Sequence, residues 1–279
     1  MLASFLITLR EGIEAALVVA IMLSYLAKVG AKTYARPMYL GVILGVVASV
    51  GVAGLFELVA VEFEGSFETV FEGFTMLLAA AVLTTMIVWM ARNSKALSEN
   101  LKVKMEQAMG SRRALGLAFL AFISVFREGV ETVLFLGSAS FTTTGLQLLL
   151  GGILGLAAAT FIGLAIIRYS VRLDLKTFFA VTGVLLVLFA AGLVARGLHE
   201  FVEAGVVPAL IEHVWDSNWI VNDQSTLGNL LTSLLGYNGT PSLIEILGYV
   251  AYWITLVYGV YRAEAASVLM RIRRVFGPA

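Results

Sequence analysis

The stretch Arg10-Glu11-Gly12-Ile13-Glu14 decides how this chain is organised, because it recurs as Arg127-Glu128-Gly129-Val130-Glu131. Each copy lies inside a long apolar run, residues 2–27 for the first copy and 114–137 for the second. A charged side chain at the centre of a membrane helix costs about 2.5 to 3.5 kcal/mol in insertion measurements. Three such charges in each helix must either be neutralised by neighbouring groups or serve a function. We therefore expect the two helices to face each other and their carboxylates to bind a cation.

The spacing within the motif supports a shared site. On a helix, residues three and four positions apart lie on one face. Arg10 can therefore hold Glu14 while Glu11 lies beside them on the same face. Gly12 and Gly129 remove a side chain next to the charges, so that a neighbouring backbone or an ion can come close. An arginine–glutamate pair that only ties two helices together is the alternative, and the repetition of the motif argues against it.

The composition indicates an integral membrane protein. The 279 residues are 59% hydrophobic and 14% charged, with a mean hydropathy of +0.92, which is typical of chains that cross a bilayer. The absence of cysteine excludes disulfides, thiolate metal sites and cysteine nucleophiles, and two histidines are too few for a histidine-rich metal cage. The apolar stretch before Arg10 is too short for a convincing cleavable signal peptide. We expect a multi-pass protein of the cell membrane.

Seven apolar segments are each long enough to span a bilayer as a helix. They cover residues 2–27, 37–57, 70–91, 114–137, 145–168, 177–198 and 243–262. Of the 19 lysines and arginines, 16 fall in alternate connections between these segments. Because cytoplasmic loops are rich in these residues, we expect an all-α membrane protein of seven transmembrane helices, with its N-terminus outside and its C-terminus in the cytoplasm.

This topology places the two motifs on antiparallel helices, the first and the fourth. We expect a single membrane domain built from two inverted three-helix repeats, residues 1–98 and 112–205. An extracytoplasmic interfacial segment, 206–242, and a seventh helix with a basic cytoplasmic tail, 243–279, would follow. Inverted repeats with a site at their interface are typical of secondary transporters.

The predicted outer side is rich in acids. Three glutamates spaced four apart would stack on one helix face, where like charges repel each other, so a cation partner would explain them. A second group closes the sixth span. The candidates for the mouth of a cation path are Glu64, Glu68, Glu72, His199, Glu200 and Glu203. A solvated acidic loop, and for the histidine an ordinary hydrogen-bonded polar residue, are the alternatives.

Two connecting segments have a distinctive composition. Residues 227–235 are apolar but too short to span, so they lie at the membrane surface or re-enter the membrane. Residues 92–113 carry both charge signs with an excess of basic residues. We expect that run to be a cytoplasmic loop near anionic lipid, not a nucleic-acid site. The sequence contains no nucleotide-binding loop and no soluble catalytic domain.

The chemistry of the motifs favours a hard, multivalent cation. Four motif glutamates and two arginines leave a net charge of about −2 before an ion arrives. Carboxylate oxygens suit magnesium, calcium, manganese and iron. The donor atoms alone do not choose among these metals.

The motifs resemble those of a known family. Leu9-Arg10-Glu11-Gly12-Ile13-Glu14-Ala15 and Phe126-Arg127-Glu128-Gly129-Val130-Glu131-Thr132 are similar to the paired Arg-Glu-x-x-Glu motifs of the oxidase-dependent iron permeases. That family includes the fungal high-affinity iron permeases and the bacterial Efe-type iron permeases. The resemblance covers nearly the whole chain, since the seven spans, the motifs in spans one and four and the external N-terminus all match.

The resemblance implies a high-affinity permease that moves iron into the cytoplasm. Glu11, Glu14, Glu128 and Glu131 would handle the ion, with Arg10 and Arg127 as their motif partners. Iron would be the transported substrate, with no permanently bound cofactor. A separate extracytoplasmic iron oxidase or iron-binding protein would deliver it.

Two other classes of function stay open on the residues alone. One is a carrier for another hard or heavy divalent metal, such as manganese or lead, or a proton-coupled carrier; the resemblance keeps lead open, since some relatives in the family are linked to lead uptake. The other is a membrane di-iron enzyme using the same carboxylates. Such enzymes usually add Glu-x-x-His pairs, and neither His199 nor His213 has an acid three residues before it. We therefore expect a transporter and not an enzyme.

Overall fold

The computed structural model describes residues 1–62, 65–93, 96–108, 113–169, 174–223 and 225–276. Over these residues all the regular structure is helical, with one short 3-10 turn at Lys32–Tyr34 and no strand, and residues 204–223 form an irregular segment. The helices are α1 (Leu2–Lys28), α2 (Ala35–Glu62), α3 (Ser66–Asn93), α4 (Ala96–Ala108), α5 (Arg113–Ser140), α6 (Gly145–Tyr169), α7 (Leu175–Glu203), α8 (Thr226–Leu235) and α9 (Leu243–Phe276). The prediction of an all-α fold is confirmed for the described residues.

Each predicted span lies in a long helix. Five helices, α2, α3, α6, α7 and α9, contain stretches long and apolar enough to cross a membrane. The remaining two, α1 and α5, have 27 and 28 residues, and each carries the three charges of its motif. The length and composition of the five apolar helices indicate a multi-pass membrane protein.

The long helices pack mainly in pairs. The most extensive contacts join α2 to α5, α1 to α6 and α3 to α7, and α1 also packs directly on α5. Small residues allow these approaches: a Cβ on Gly155 of α6 would clash with α1 at Phe5 and Thr8, and a Cβ on Gly41 of α2 would clash with the α5 backbone at Ala118. Small residues at helix interfaces are typical of membrane proteins.

The α1 and α5 helices run through the centre of the molecule. Ile7 and Phe135 are fully buried in a core that also contains Met76, Leu83 and Ala190 from α3 and α7. By contrast, α2, α6 and α9 turn large apolar side chains outward, as Val50, Phe161 and Ile254 do. Since lipid tails are as apolar as these side chains, the outer helices present a lipid-compatible surface, and the motifs lie on the two inner ones.

The prediction of a loop over residues 92–113 is wrong for part of its length, because Ala96–Ala108 forms α4. Leu101 and Met105 are buried against Met22 of α1 and Leu117 of α5, while the lysines of α4 are exposed. Leu101 and Met105 lie four residues apart on one helix face, and their packing stabilises α4. This apolar face is not visible in the average hydropathy of residues 92–113, which is dominated by polar residues.

The apolar segment 227–235 forms α8, which packs against α7. It ends at Gly236, which has a φ of 68° and lies directly against Gly192 of α7. Gly192 is 11 residues from the end of α7 at Glu203, or about 16 Å along the helix axis. The end of α8 therefore lies beside the middle of α7.

Candidate metal centre

The packing of α1 on α5 brings the two motifs together. Carboxylate oxygens of Glu11, Glu128 and Glu131 lie within 4.8 Å of one another. Glu11 is 1% exposed and Glu128 is 7% exposed, and the side chain of Glu131 is 15% exposed. These three residues, the carboxylate triad, offer one oxygen each at a spacing that suits a single hard cation.

Glu14, the fourth motif acid, is held by Arg10 instead. The distance from Arg10 Nη2 to Glu14 Oε1 is 3.3 Å, and that from Arg10 Nη1 to Glu11 Oε1 is 3.6 Å. Arg10 is 1% exposed, and its Nη2 also donates to Met90 Sδ of α3 at 3.4 Å. The buried guanidinium therefore compensates both acids of its own motif, which confirms the pairing expected from the i, i+4 spacing.

The second motif repeats the pairing in a more open setting. Arg127 Nε donates to Glu131 Oε1 at 2.8 Å and lies 3.9 Å from Glu128 Oε1. However, the side chain of Arg127 is 51% exposed, whereas that of Arg10 is 1% exposed. Two motifs that are equivalent in sequence thus have different surroundings.

Several buried carboxylate oxygens at this centre have no hydrogen-bond partner. They are both oxygens of Glu11, Oε1 of Glu14, and Oε2 of Glu128 and of Glu131; Nε and Nη1 of Arg10 also have no partner. A buried polar atom without a partner costs about 1–3 kcal/mol, and more when it is charged. Four of these five oxygens belong to the triad, and a cation bound among its members would supply their missing partner.

The motif glycines contact neighbouring helices. A Cβ on Gly12 would lie 2.6 Å from the Cβ of Ala159 in α6. A Cβ on Gly129 would clash with the side chain of Ser49 in α2. The sequence left open whether the missing side chains admit a neighbouring backbone or an ion. In the structure both glycines lie at close helix–helix contacts, which position the motif helices.

The outer acids of α3 and α7 come together in part. Glu72 is close enough to Glu68, Glu200 and Glu203 for their charges to interact, and Glu68 shares a helix face with Glu72 as predicted. Glu64 lies outside the described residues. This group is separate from the carboxylate triad, since none of its members belongs to the triad.

His199 forms a pair that the sequence did not reveal. Its Nδ1 lies 3.0 Å from Glu245 Oε1 and its Nε2 lies 4.0 Å from Glu203 Oε2. Glu245 is 5% exposed, and it also accepts hydrogen bonds from Asn238 Nδ2 at 3.0 Å and from the backbone N–H and side-chain hydroxyl of Ser242 at 3.1 and 2.9 Å. Because Glu245 is 46 residues from His199, no local pattern connects them. His199 is thus hydrogen-bonded, and it also lines the cavity described next.

A cavity of about 970 Å³ lies beside this pair. Its walls come from the end of α7, the segment that follows it, α8 and the start of α9, and we call it the vestibule. The lining includes Arg196, His199, Glu203, His213 and Glu245. No triad residue lines it, so the vestibule and the triad are distinct sites.

Comparison with known proteins identifies the family. The sequence model of the Iron permease FTR1 family matches residues 1–273. The Ferrous iron permease EfeU of Escherichia coli O6:H1 is 34% identical over 260 residues, which cover 91% of this chain and 93% of that protein. The Ferrous iron permease EfeU of Yersinia pestis is 32% identical over 280 aligned positions, covering 99% of both chains. No solved structure matches the chain. By the extent of these matches, the chain belongs to the iron permease FTR1 family.

Proposed function

We propose that this permease carries iron ions into the cytoplasm and that the carboxylate triad binds the ion within the membrane. The observation that carries the proposal is the convergence of Glu11, Glu128 and Glu131 within 4.8 Å, with buried oxygens that have no hydrogen-bond partner. Oxygen donors would also accept manganese or calcium. Membership of an iron permease family, whose relatives are named ferrous iron permeases, supports iron as the cargo.

The proposal includes seven membrane-spanning helices, with the N-terminus outside, in the plasma membrane. It also includes two inverted repeats, 1–98 and 112–205. A two-fold relation would exchange α1 with α5, α2 with α6 and α3 with α7. This exchange would turn the α1–α6 contact into the α5–α2 contact and leave the α1–α5 and α3–α7 contacts unchanged. This pattern of contacts is the one that a two-fold relation between the repeats would produce.

The motif glycines follow the same exchange. Gly12 of α1 meets α6 at Ala159, and Gly129 of α5 meets α2 at Ser49. The triad thus lies where the proposed repeats meet, since α1 and α5 belong to different repeats. Relative motion of two such repeats is a common way to expose a bound ion to each side of a membrane in turn.

The transport route then has three parts. The acids around Glu72 raise the local concentration of cations outside the membrane. The triad takes the ion and replaces part of its water or its carrier's ligands, while Arg10 and Arg127 balance the charge of the motif when no ion is bound. Rocking of the repeats releases the ion to the cytoplasm. A separate extracytoplasmic oxidase or iron-binding protein would supply the iron, as the family resemblance implies.

The composition of the triad favours transport over the di-iron enzyme. Such enzymes place histidines beside their carboxylates. Both histidines of the chain, His199 and His213, line the vestibule, and the triad consists of glutamates alone.

Radioactive iron uptake into cells that lack other iron importers tests the proposal. At matched membrane expression, Glu14→Ala, Glu131→Ala and Glu131→Gln should each reduce uptake to the background. Glu99→Ala removes an exposed acid of α4 and should transport like the wild type. Wild-type uptake by the Glu131 variants would refute the site, and suppression by excess Mn²⁺ or Pb²⁺ would point to a different metal.

A further inference from the structure

Arg196 is the one basic residue that neither the loops nor the motifs explain, since 16 of the 19 lysines and arginines lie in connections and Arg10 and Arg127 belong to the motifs. It lies in the apolar stretch Thr177–Glu203, seven residues before the end of α7, or about 10 Å along the axis. Within the described residues no hydrogen bond and no ion pair within 4.0 Å joins it to a partner, although its charge interacts with that of Glu200, one turn further along α7. An unpaired arginine at such a position is costly and is typically functional.

The side chain of Arg196 lines the vestibule together with acids, which carry the opposite charge, and a histidine. His199, Glu203 and Glu245 line the same cavity. Its volume of about 970 Å³ is several times that of a cation with six waters, which is roughly 200 Å³ at about 30 Å³ per water. The vestibule therefore accommodates a ligand larger than a hydrated ion and offers it groups of both signs.

The vestibule is not arranged to hold a bare ion. In the described part of the chain, the triad is the group in which donor atoms of three or more histidine or acidic side chains lie within 4.8 Å of one another. In the vestibule, His199 has Glu245 at 3.0 Å on one ring nitrogen and Glu203 at 4.0 Å on the other. A cation there meets few converging protein ligands, so it must keep ligands of its own.

We infer that the vestibule binds iron while the ion is still held by carboxylate groups of another molecule, and that Arg196 binds one of those carboxylates. A guanidinium presents parallel N–H donors that match the two oxygens of a carboxylate. His199 and Glu203, three and seven residues further along the same face of α7, line the same cavity beside Arg196, where they face the cation. This inference rests on the proposed iron transport and adds a recognition step before the triad. The carboxylates come from a small chelator or from acidic side chains of a delivery protein.

Equilibrium binding of radiolabelled citrate to the purified protein, with and without Fe²⁺ under anaerobic conditions, tests the small-chelator source. The wild type should bind citrate when iron is present and not without iron. Arg196→Gln should weaken this binding at least tenfold, and Arg196→Lys about threefold, because lysine keeps the charge but not the paired donors. Lys102→Gln, which removes an exposed cation of α4, should bind like the wild type.

A triad variant separates this inference from the proposed function. Glu128→Gln should lose iron uptake but keep iron-dependent citrate binding, since Glu128 does not line the vestibule. If Glu128→Gln transports iron normally, the proposed function fails whatever citrate does. If the Arg196 variants bind iron–citrate like the wild type, the carboxylate site fails while the triad stands.

Uptake by intact cells with their own delivery proteins and no added citrate tests the second source. If the wild type binds no citrate, Arg196→Gln should still slow this uptake at least tenfold, and Arg196→Lys should retain most of it. That result assigns the carboxylate to a protein. If the wild type binds no citrate and Arg196→Gln takes up iron as fast as the wild type does, the inference is overturned. If Arg196→Gln does not elute as a folded protein, both measurements are made on Arg196→Lys instead.

Discussion

At the scale of single residues, the two arginines of the repeated motif have unequal tasks. Arg10 is 1% exposed and lies within 3.6 Å of both acids of its motif, whereas the side chain of Arg127 is 51% exposed. Removing one partner of a buried ion pair leaves an uncompensated charge, which costs about 3–5 kcal/mol. An ion pair that is open to water contributes about 1 kcal/mol or less because water screens it, and the smaller value predicted for Arg127 applies if its exposed face is hydrated.

Replacement of each arginine by methionine should therefore give different results. We expect Arg10→Met to lower the free energy of unfolding by about 3–5 kcal/mol and Arg127→Met to lower it by about 1 kcal/mol. Reversible denaturation in mixed micelles measures both values. Arg127→Met is the matched control, as it removes the same charge from the same motif position. Equal losses in the two variants would contradict the asymmetry.

The sequence predicted the members of the metal centre better than their individual roles. The i, i+4 spacing is local, so the pairing of Arg10 with Glu14 follows from helix geometry alone. The exclusion of Glu14 from the triad depends on how α1 rotates against α5, which no spacing within one motif encodes. The partner of His199 escaped prediction for the same reason, since Glu245 reaches it only through the packing of α9 on α7.

At the scale of helices, close packing at the motif glycines holds α1 and α5 in position. Gly12→Ala should destabilise the protein by about 1–3 kcal/mol, which is typical of overpacking, because its new Cβ would lie 2.6 Å from that of Ala159. The double variant Gly12→Ala/Ala159→Gly should recover most of this loss. Thermal unfolding in detergent measures each change.

Gly51 provides the matched control for this substitution. It lies in the interior of α2 with nothing within 4 Å of an added Cβ. Gly51→Ala should leave stability unchanged or raise it by up to about 1 kcal/mol, because alanine favours the helix. A loss as large as that of Gly12→Ala would mean that helix contact is not the reason for glycine at the motif.

Hydropathy predicted the long helices but neither their full length nor α4. The second span was predicted over 37–57, whereas α2 is Ala35–Glu62, because the apolar run resumes after Glu57 with residues 58–61 and the helix continues through it. Hydropathy missed α4 because charged and polar residues alternate with its apolar ones and keep the local average low. Its stability comes from Leu101 and Met105, which contact α1 and α5, and such tertiary contacts are not visible in a local average.

At the scale of the whole molecule, the distribution of charge predicts which end of each helix faces the cytoplasm. The chain contains no cysteine, so single cysteines can report accessibility without a background. Trp219→Cys, at a position that is 83% exposed, should react with a membrane-impermeant maleimide in intact cells. Lys102→Cys, at an exposed position of α4, should react only after the membrane is opened. The opposite order of labelling would contradict the proposed orientation.

The proposed repeat, the triad and the vestibule would have separate tasks in separate parts of the chain. The inner pair α1 and α5 carries the proposed ion site, and the outer helices present apolar surface. The vestibule is built from α7, α8 and α9. This division predicts that iron without a chelator binds between the motif helices and not in the vestibule.

The most direct measurement is therefore the location of iron by anomalous scattering at its absorption edge, from crystals of the protein prepared with Fe²⁺ and no chelator. We expect a peak between α1 and α5, within bonding distance of Glu11, Glu128 and Glu131, and its loss in Glu128→Gln. Iron found only beside His199 and Glu245, with none between the motif helices, would contradict the account.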